Sequence, residues 1–258
     1  MKTRNRRKGA TRIADVDKDV LASLEAGESE TATLAEALAI DFGTLLSQTL
    51  GDDRFAGAVP SELGITKRMA LAAQTVSATL GEDARAFCQT HASDTLRGWG
   101  AFVVAGDQNS TLRDLLSQIK PFADDHHFAV REWAWLAIRP QLAEQLEDAL
   151  RLLQPWAEHS SANLRRFACE ALRPRGVWCA HIKALKEKPE LAESLINTLR
   201  ADPDRYVQDS VGNWLNDAYK TRPDWVQSLC ATWLSESDNT ATQYTVKRAL
   251  RSAKHSTQ

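Results

Sequence analysis

The chain has 258 residues, of which 43% are hydrophobic, and a formal net charge of −2. This length is enough for one large or two small domains with a substantial core. The overall charge gives no argument for or against a polyanionic partner. No run approaches the roughly 18 apolar residues of a membrane helix, which argues against a membrane protein.

The cysteines are few and scattered, and they form no CxxC pair. The start of the chain also lacks the apolar segment of a signal peptide. We therefore expect reduced thiols and a cytoplasmic location.

The first twelve residues carry six basic side chains and no acid. Because no apolar segment follows them, we predict a disordered basic arm over residues 1–12. The remainder, residues 13–258, is predicted to be a single repeat domain.

Three helical patterns precede the repeats. The first covers residues 14–26 and is closed by Gly27. The second follows a capping segment at residues 29–33, with apolar residues at helical spacing as far as Leu46. The third runs over residues 61–81 and ends at a glycine.

A short phrase then returns four times, with a fainter fifth copy. Its copies begin at Leu96, Val130, Leu164, Val207 and Thr242, at spacings of 34, 34, 43 and 35 residues. A period of this size is typical of helical pairs, each of which buries its apolar face against its neighbours. We predict an all-α, HEAT-like helical repeat solenoid with a concave binding face, in which residues 91–250 form antiparallel helical pairs stacked in a right-handed curved array.

The third interval is longer than the others, and residues 173–178 account for the excess most simply. We predict a loop here, between the two helices of one repeat. A neutral insertion is the alternative, but this one adds two arginines and Trp178 instead of small polar residues. The other tryptophans lie at helical spacing from apolar residues, and most are predicted to be core.

Acidic side chains beside residues that a helix must bury are candidates for chemistry. Glu132 and Glu170 are such residues, and Asp217 shares a helix face with Asn213 at a spacing of four. The alternative is structural: each acid would pair with an arginine of the next repeat, or Asp217 would cap the following segment. Residues 163–188 carry seven basic side chains against two acids, which predicts a local phosphate-binding stripe.

The sequence lacks the motifs of several other kinds of catalytic and binding site. The sequence contains no phosphate-cradling glycine loop, no GxSxG and no HExxH, so no cofactor and no metal are predicted. The cluster at residues 124–127 contains two adjacent histidines, whose side chains point apart. We interpret this cluster as a helix cap and not as a metal site.

Three strings carry a resemblance to a known family. They are REWA from Arg131, RRFACE followed by RPRGVW from Arg165 to Trp178, and YVQDSVGNWLND ending at Asp217. These strings resemble the DNA alkylation repair glycosylases of the AlkC/AlkD family, with the AlkC branch as the closer match. The resemblance extends over roughly residues 20–252.

The resemblance implies hydrolysis of the N-glycosidic bond of cationic alkylated bases in duplex DNA, of the 3-methyladenine and 3-methylcytosine class, without base flipping. It implies a monofunctional enzyme that leaves an abasic site, and we expect a monomer. The catalytic residues carried over from the family are Glu132, Glu170, Trp178 and Asp217. The predicted DNA-binding residues are Arg165, Arg166, Arg173, Arg175 and Asn213. Two departures are Gln208, where a basic residue is common, and Gly212, where alanine is common.

The implied chemistry is physically consistent. A cationic base is already a good leaving group, so a carboxylate near C1′ is needed mainly to stabilise the oxocarbenium ion and orient water. The main alternative is a non-catalytic HEAT-repeat scaffold that binds nucleic acid or protein. A nucleotide- or tRNA-modifying enzyme would need a cofactor loop that the sequence does not contain. Convergence of Glu170, Trp178 and Asp217 would favour the enzyme over the scaffold.

Overall fold

The structure is a computed structural model that describes residues 7–255, with side chains described as far as Ala253. Every regular element in this range is helical, and none of the residues from 7 to 255 lies in a strand. The predicted all-α class is therefore confirmed. No helix within the described range is both long and apolar enough to cross a membrane.

The chain divides into two compact units. The first contains the described residues up to Ser110 together with Asp125–Ala137, and the second contains Thr111–Asp124 and the described residues from Ile138 onward. Helix α8 (Phe128–Glu144) contributes to both. The single domain predicted for residues 13–258 includes both units, and it stays a prediction, as does the right-handed curved array predicted for residues 91–250.

The helices of the first unit, besides the start of α8, are α1 (Lys18–Glu25), α2 (Leu34–Ala39), α3 (Phe42–Leu50), α4 (Ile65–Leu80), α5 (Ala84–Thr90) and α6 (Asp94–Ala105). Those of the second, besides the end of α8, are α7 (Leu112–Ala123), α9 (Leu146–Ala157), α10 (Ala162–Glu170), α11 (Lys183–Glu187), α12 (Glu193–Thr198), α13 (Arg205–Tyr219), α14 (Pro223–Glu236) and α15 (Thr240–Ala249).

The second predicted helix is interrupted in the structure. Residues 40 and 41 are extended, and the carboxylate of Asp41 accepts a hydrogen bond from the amide of Thr44 and so begins α3. Apolar residues at helical spacing continue through this break because α2 and α3 both turn an apolar face inward. The spacing alone therefore predicted one helix where a capping residue makes two.

Part of the predicted basic arm is held in place. Residues 1–6 lie outside the described residues, but the Arg7 guanidinium binds the carboxylate of Glu36, with Nη1 2.5 Å from Oε1. The amide of Ala10 also donates to this oxygen, at 3.2 Å. Burial raises the pKa of Glu36, but Arg7 and the backbone amides outweigh it, so the pKa lies below its ordinary value. Residues 7–12 thus differ from the predicted disorder because a buried acid binds them.

The repeated phrase has a local physical cause. Its second residue is Arg97, Arg131 or Arg165 in three copies, and each donates from Nη1 to the carbonyls five and six residues earlier. In the fourth copy Gln208 donates its amide to the carbonyl six residues earlier, at 2.7 Å. A basic residue at this position therefore stabilises the turn before the helix through hydrogen bonds, and Gln208 stabilises its own turn in the same way.

Three phrase helices of the second unit pack in chain order, with α13 between α10 and α15. Most of the predicted core tryptophans are buried: Trp99 and Trp214 are fully inaccessible and Trp233 is nearly so, whereas Trp225 is only partly buried. At Gly212 a Cβ atom would lie 2.8 Å from the Cβ of Arg248, which crosses α13 at that point. This close approach of α15 explains why glycine stands where alanine is common.

A candidate catalytic site in the second unit

The insertion after the third phrase forms a fixed loop between α10 and α11, where it was predicted. Arg139 of α8 lies beneath it and is only 2% exposed. Its guanidinium donates to the carbonyls of Ala171 at 2.7 Å, Arg173 at 2.5 Å and Ala180 at 3.4 Å. The amide of Ile182 donates to the carbonyl of Pro174 and closes the loop. A buried cation thus holds the loop backbone on both sides of its tip.

The tip of this loop carries Trp178, which is 47% exposed. Its φ of +63° lies in the left-handed region, and it is the one described non-glycine residue with positive φ. Two residues earlier, a Cβ on Gly176 would collide with the Sγ of Cys179, so a larger residue there would require this side chain to move. A strained, exposed tryptophan does not serve the core, and such strain is typical of functional loops.

Two carboxylates from different helices meet at the base of this loop. Glu170 ends α10 and Asp217 lies in α13, and each residue is 3% exposed. Arg173 joins them: its Nη1 lies 2.8 Å from Glu170 Oε1, and its Nε and Nη2 lie 2.9 and 2.7 Å from Asp217 Oδ2. The structure therefore brings together two of the predicted catalytic acids.

Glu170 is strongly stabilised as a carboxylate. Burial raises its pKa, but Arg166 and Arg173 and a hydrogen bond from the Ser210 hydroxyl outweigh this effect, so the pKa lies below its ordinary value. Burial lowers the pKa of Arg173, but the charges of Glu170 and Asp217 raise it by more, so this pKa lies above its ordinary value. Arg173 and the charged Glu170 therefore form a tight ion pair.

The solvent side of Asp217 has different partners. The ammonium of Lys220 lies 3.2 Å from Asp217 Oδ1, and its side chain is 46% exposed. Arg175 donates from Nε to the backbone carbonyl of Asp217, at 3.3 Å. Asp217 is thus held by its main chain and by both oxygens of its side chain.

The remaining predicted residues have varied surroundings. Arg166 lies over the ring of Tyr206, 4.4 Å from its centroid, and Asn213 accepts a hydrogen bond from Arg248 at 3.1 Å. Glu132 belongs to the first unit, where its carboxylate accepts from the indole of Trp135 at 2.8 Å. Its place relative to the Glu170–Asp217 pair stays a prediction.

Three arginines predicted to bind phosphate pair with acids, and one of them is Arg166, whose Nη2 lies 3.7 Å from Glu170 Oε2. Arg173 is the bridge just described, and Arg165 holds Asp202 through Nε and Nη2 at 2.6 and 3.0 Å. The side chains of Arg165 and Asp202 are 14% and 3% exposed. An arginine that is available for phosphate and one that is paired with an acid look the same in the sequence. Composition alone therefore did not distinguish them.

Arg165 gives the first testable expectation. Arg165→Gln should keep the carbonyl contact that Gln208 makes in its own repeat but leave Asp202 buried and unpaired, which costs about 3 kcal/mol of unfolding free energy. The salt dependence of DNA binding should not change, because no phosphate contact is lost. Arg175→Gln is the control, and it should reduce the log–log salt slope by about 0.9. A reduced slope in Arg165→Gln without loss of stability would contradict this assignment.

Sequence reasoning missed three residues of the site: Arg139, Ser210 and Lys220. A signal existed for Arg139, which is a lone charge in the apolar run of α8. Lys220 lies three residues after Asp217, a spacing that places both on one helix face. Ser210 carries no comparable signal, because its partner Glu170 is 40 residues away.

Fold and site together define a helical repeat protein with an arginine-bridged carboxylate pair at the base of a loop that exposes a tryptophan. Residues 125–252 match the model of the family described as DNA alkylation repair enzyme. This match supports the AlkC/AlkD-type family that the sequence strings predicted.

Solved structures agree with this family. Pseudomonas fluorescens alkylpurine DNA glycosylase AlkC, bound to DNA containing an abasic site analog, is 26% identical with a TM-score of 0.68, over 83% of this chain and 61% of that one. The protein smu.31 from Streptococcus mutans UA159 is 25% identical with a TM-score of 0.59, over 72% and 91% of the two chains. AlkD2 from Streptococcus mutans, at 24% identity and a TM-score of 0.61 over 82% and 98%, supports the fold alone.

The present chain therefore spans about three fifths of the length of Pseudomonas fluorescens AlkC. A search of curated proteins found no match.

Proposed function

We propose that this chain is a DNA glycosylase of the AlkC branch that hydrolyses the N-glycosidic bond of cationic alkylated bases in duplex DNA. Its substrates are of the 3-methyladenine and 3-methylcytosine class, and the base is not flipped into a pocket. The observation that carries the proposal is the meeting of Glu170 and Asp217 at Arg173, beneath the loop that exposes Trp178. A scaffold would have no need of this arrangement.

The chemistry follows from the charges. When the bond to a cationic base breaks, the base leaves as a neutral molecule and positive charge develops on the sugar. A preorganised carboxylate stabilises that charge, and we assign this role to Asp217 because Lys220, its second partner, is half exposed. Water adds at C1′ and loses a proton, so the products are the free base and an intact strand with an abasic site. The reaction requires neither cofactor nor metal, and a monomer suffices.

A base-release assay tests the proposal. Duplex DNA alkylated with a methylating agent is incubated with the protein, and the released bases are separated by chromatography. We expect free 3-methyladenine above the spontaneous rate, and strand breaks only after alkaline treatment. Release at the spontaneous rate, together with intact DNA binding, would favour the non-catalytic scaffold instead.

Trp178 provides a test within the loop. Trp178→Ala should lower the rate of base release roughly five- to thirtyfold, because an aromatic face near developing positive charge stabilises it by about 1–2 kcal/mol. Stability should change little, since the side chain is half exposed. Val177→Ala is the matched control, because Val177 is also exposed and adjacent. Equal rates for the two variants would remove Trp178 from the site.

A further inference from the structure

The two oxygens of the Asp217 carboxylate have unequal partners. Oδ2 accepts two hydrogen bonds from one guanidinium, at 2.9 and 2.7 Å. This guanidinium belongs to Arg173, whose side chain is 17% exposed and is also bound to Glu170. Oδ1 accepts a single hydrogen bond at 3.2 Å, from the ammonium of Lys220. One oxygen is therefore fixed by a buried bridge, and the other is covered by one surface side chain.

Lys220 is suited to leave this oxygen. It follows the last residue of α13, and its side chain is 46% exposed. A half-exposed ion pair is weak, because water screens the charges and the long side chain loses rotamer freedom when it is held. Arg173 cannot leave in the same way, because its departure would leave two buried carboxylates without their shared cation.

The Asp217 carboxylate already has two cationic partners while Lys220 is in place. The acids are Glu170 and Asp217, and the cations nearest them are Arg166, Arg173 and Lys220. Arg251 also acts on this region: burial and the neighbouring cations Arg248 and Arg173 lower its pKa, while Asp217 raises it. A positively charged ligand therefore approaches Oδ1 favourably only if one cation moves away.

We propose that Lys220 is an exchangeable cation, which covers Asp217 Oδ1 in the free protein and is displaced from it by the cationic sugar during base release. The inference rests on the proposed function. Arg173 then positions the carboxylate, and Lys220 pairs with it until positive charge develops on the sugar. Once displaced, the Lys220 ammonium points to solvent.

Binding of two abasic-site mimics tests the exchange. One duplex carries a pyrrolidine nucleotide, which is positively charged, and an otherwise identical duplex carries the neutral tetrahydrofuran nucleotide. The selectivity is the Kd for the neutral duplex divided by the Kd for the cationic duplex. Phosphate contacts contribute equally to both constants, so they cancel in this ratio.

Lys220→Met should raise the selectivity about two- to fivefold, the range expected when a half-exposed ion pair no longer competes. Lys220→Arg should keep the parental ratio, because the competing charge is retained. Lys183→Met is the matched control: Lys183 also pairs with an acid of its own helix, Glu187 at 3.8 Å, and should leave the ratio unchanged. Thermal unfolding of each variant checks that the fold is retained.

An unchanged or lower ratio in Lys220→Met would overturn the inference, as would an equal rise in Lys183→Met. Base release by the parental protein distinguishes failure of the Lys220 exchange from failure of the proposed function. A parent that releases base while Lys220→Met keeps the parental ratio overturns the exchange alone. A parent that neither releases base nor prefers the cationic duplex overturns the proposed function, and the exchange with it.

Discussion

Asp217→Asn is expected to slow base release by about two to three orders of magnitude while DNA affinity stays nearly parental. Loss of a preorganised electrostatic contact with the transition state typically costs on the order of 3–4 kcal/mol of activation free energy. The amide keeps the shape of the side chain and can still accept a hydrogen bond from Arg173 through its oxygen. Single-turnover base release and a binding titration on the same DNA measure the two effects.

Asp209→Asn is the matched control for this change. Asp209 lies on the same helix and accepts a hydrogen bond from Tyr244 at 2.6 Å, but its side chain is 37% exposed and is not bound to Arg173. Its variant should release base at close to the parental rate.

Glu170→Gln completes the comparison. If Asp217→Asn kept the parental rate while Glu170→Gln did not, catalysis would be assigned to Glu170. If neither change mattered, both acids would be structural ion-pair partners, and the proposed glycosylase activity would be wrong.

Arg173→Met is expected to lower the unfolding free energy by about 3–5 kcal/mol at pH 7, because it leaves buried carboxylates without their partner. Arg200→Met is the control. Arg200 pairs with Glu236 at 2.5 Å, but these side chains are 37% and 49% exposed, so the loss should be at most about 1 kcal/mol. Urea unfolding at equilibrium measures both variants.

The pH dependence of this loss has a definite sign. The pKa of Glu170 is lower in the folded protein than its ordinary value. Its ion pair therefore stabilises the parent above the unfolded carboxyl pKa of about 4.3, and that stability is lost as the pH falls through the folded pKa. In Arg173→Met, protonation relieves the unpaired charge. The difference in stability between parent and variant should thus be largest near pH 7 and smaller at pH 4.5, and a constant difference would contradict the role of Arg173.

Much of the fold was readable from the sequence because its determinants are local. The second residue of each phrase binds carbonyls at most six residues earlier, so the recurring phrase marks a recurring helix start. The longer third interval located the loop that carries Trp178, since an insertion must leave the packed helices intact. The strings that resemble the family predicted Glu170 and Asp217 as catalytic acids.

The roles of the arginines were decided only by the tertiary structure. Arg165 and Arg173 look alike in the sequence as phosphate ligands, yet Arg165 binds a buried acid 37 residues away. Arg173 joins a buried acid 44 residues away to Glu170, three residues before it. Arg139 holds backbone carbonyls 32 to 41 residues away. Whether a guanidinium is free for a ligand or bound within the protein depends on which groups the packed helices bring within 3 Å of it, and residue spacing along the chain does not encode that proximity.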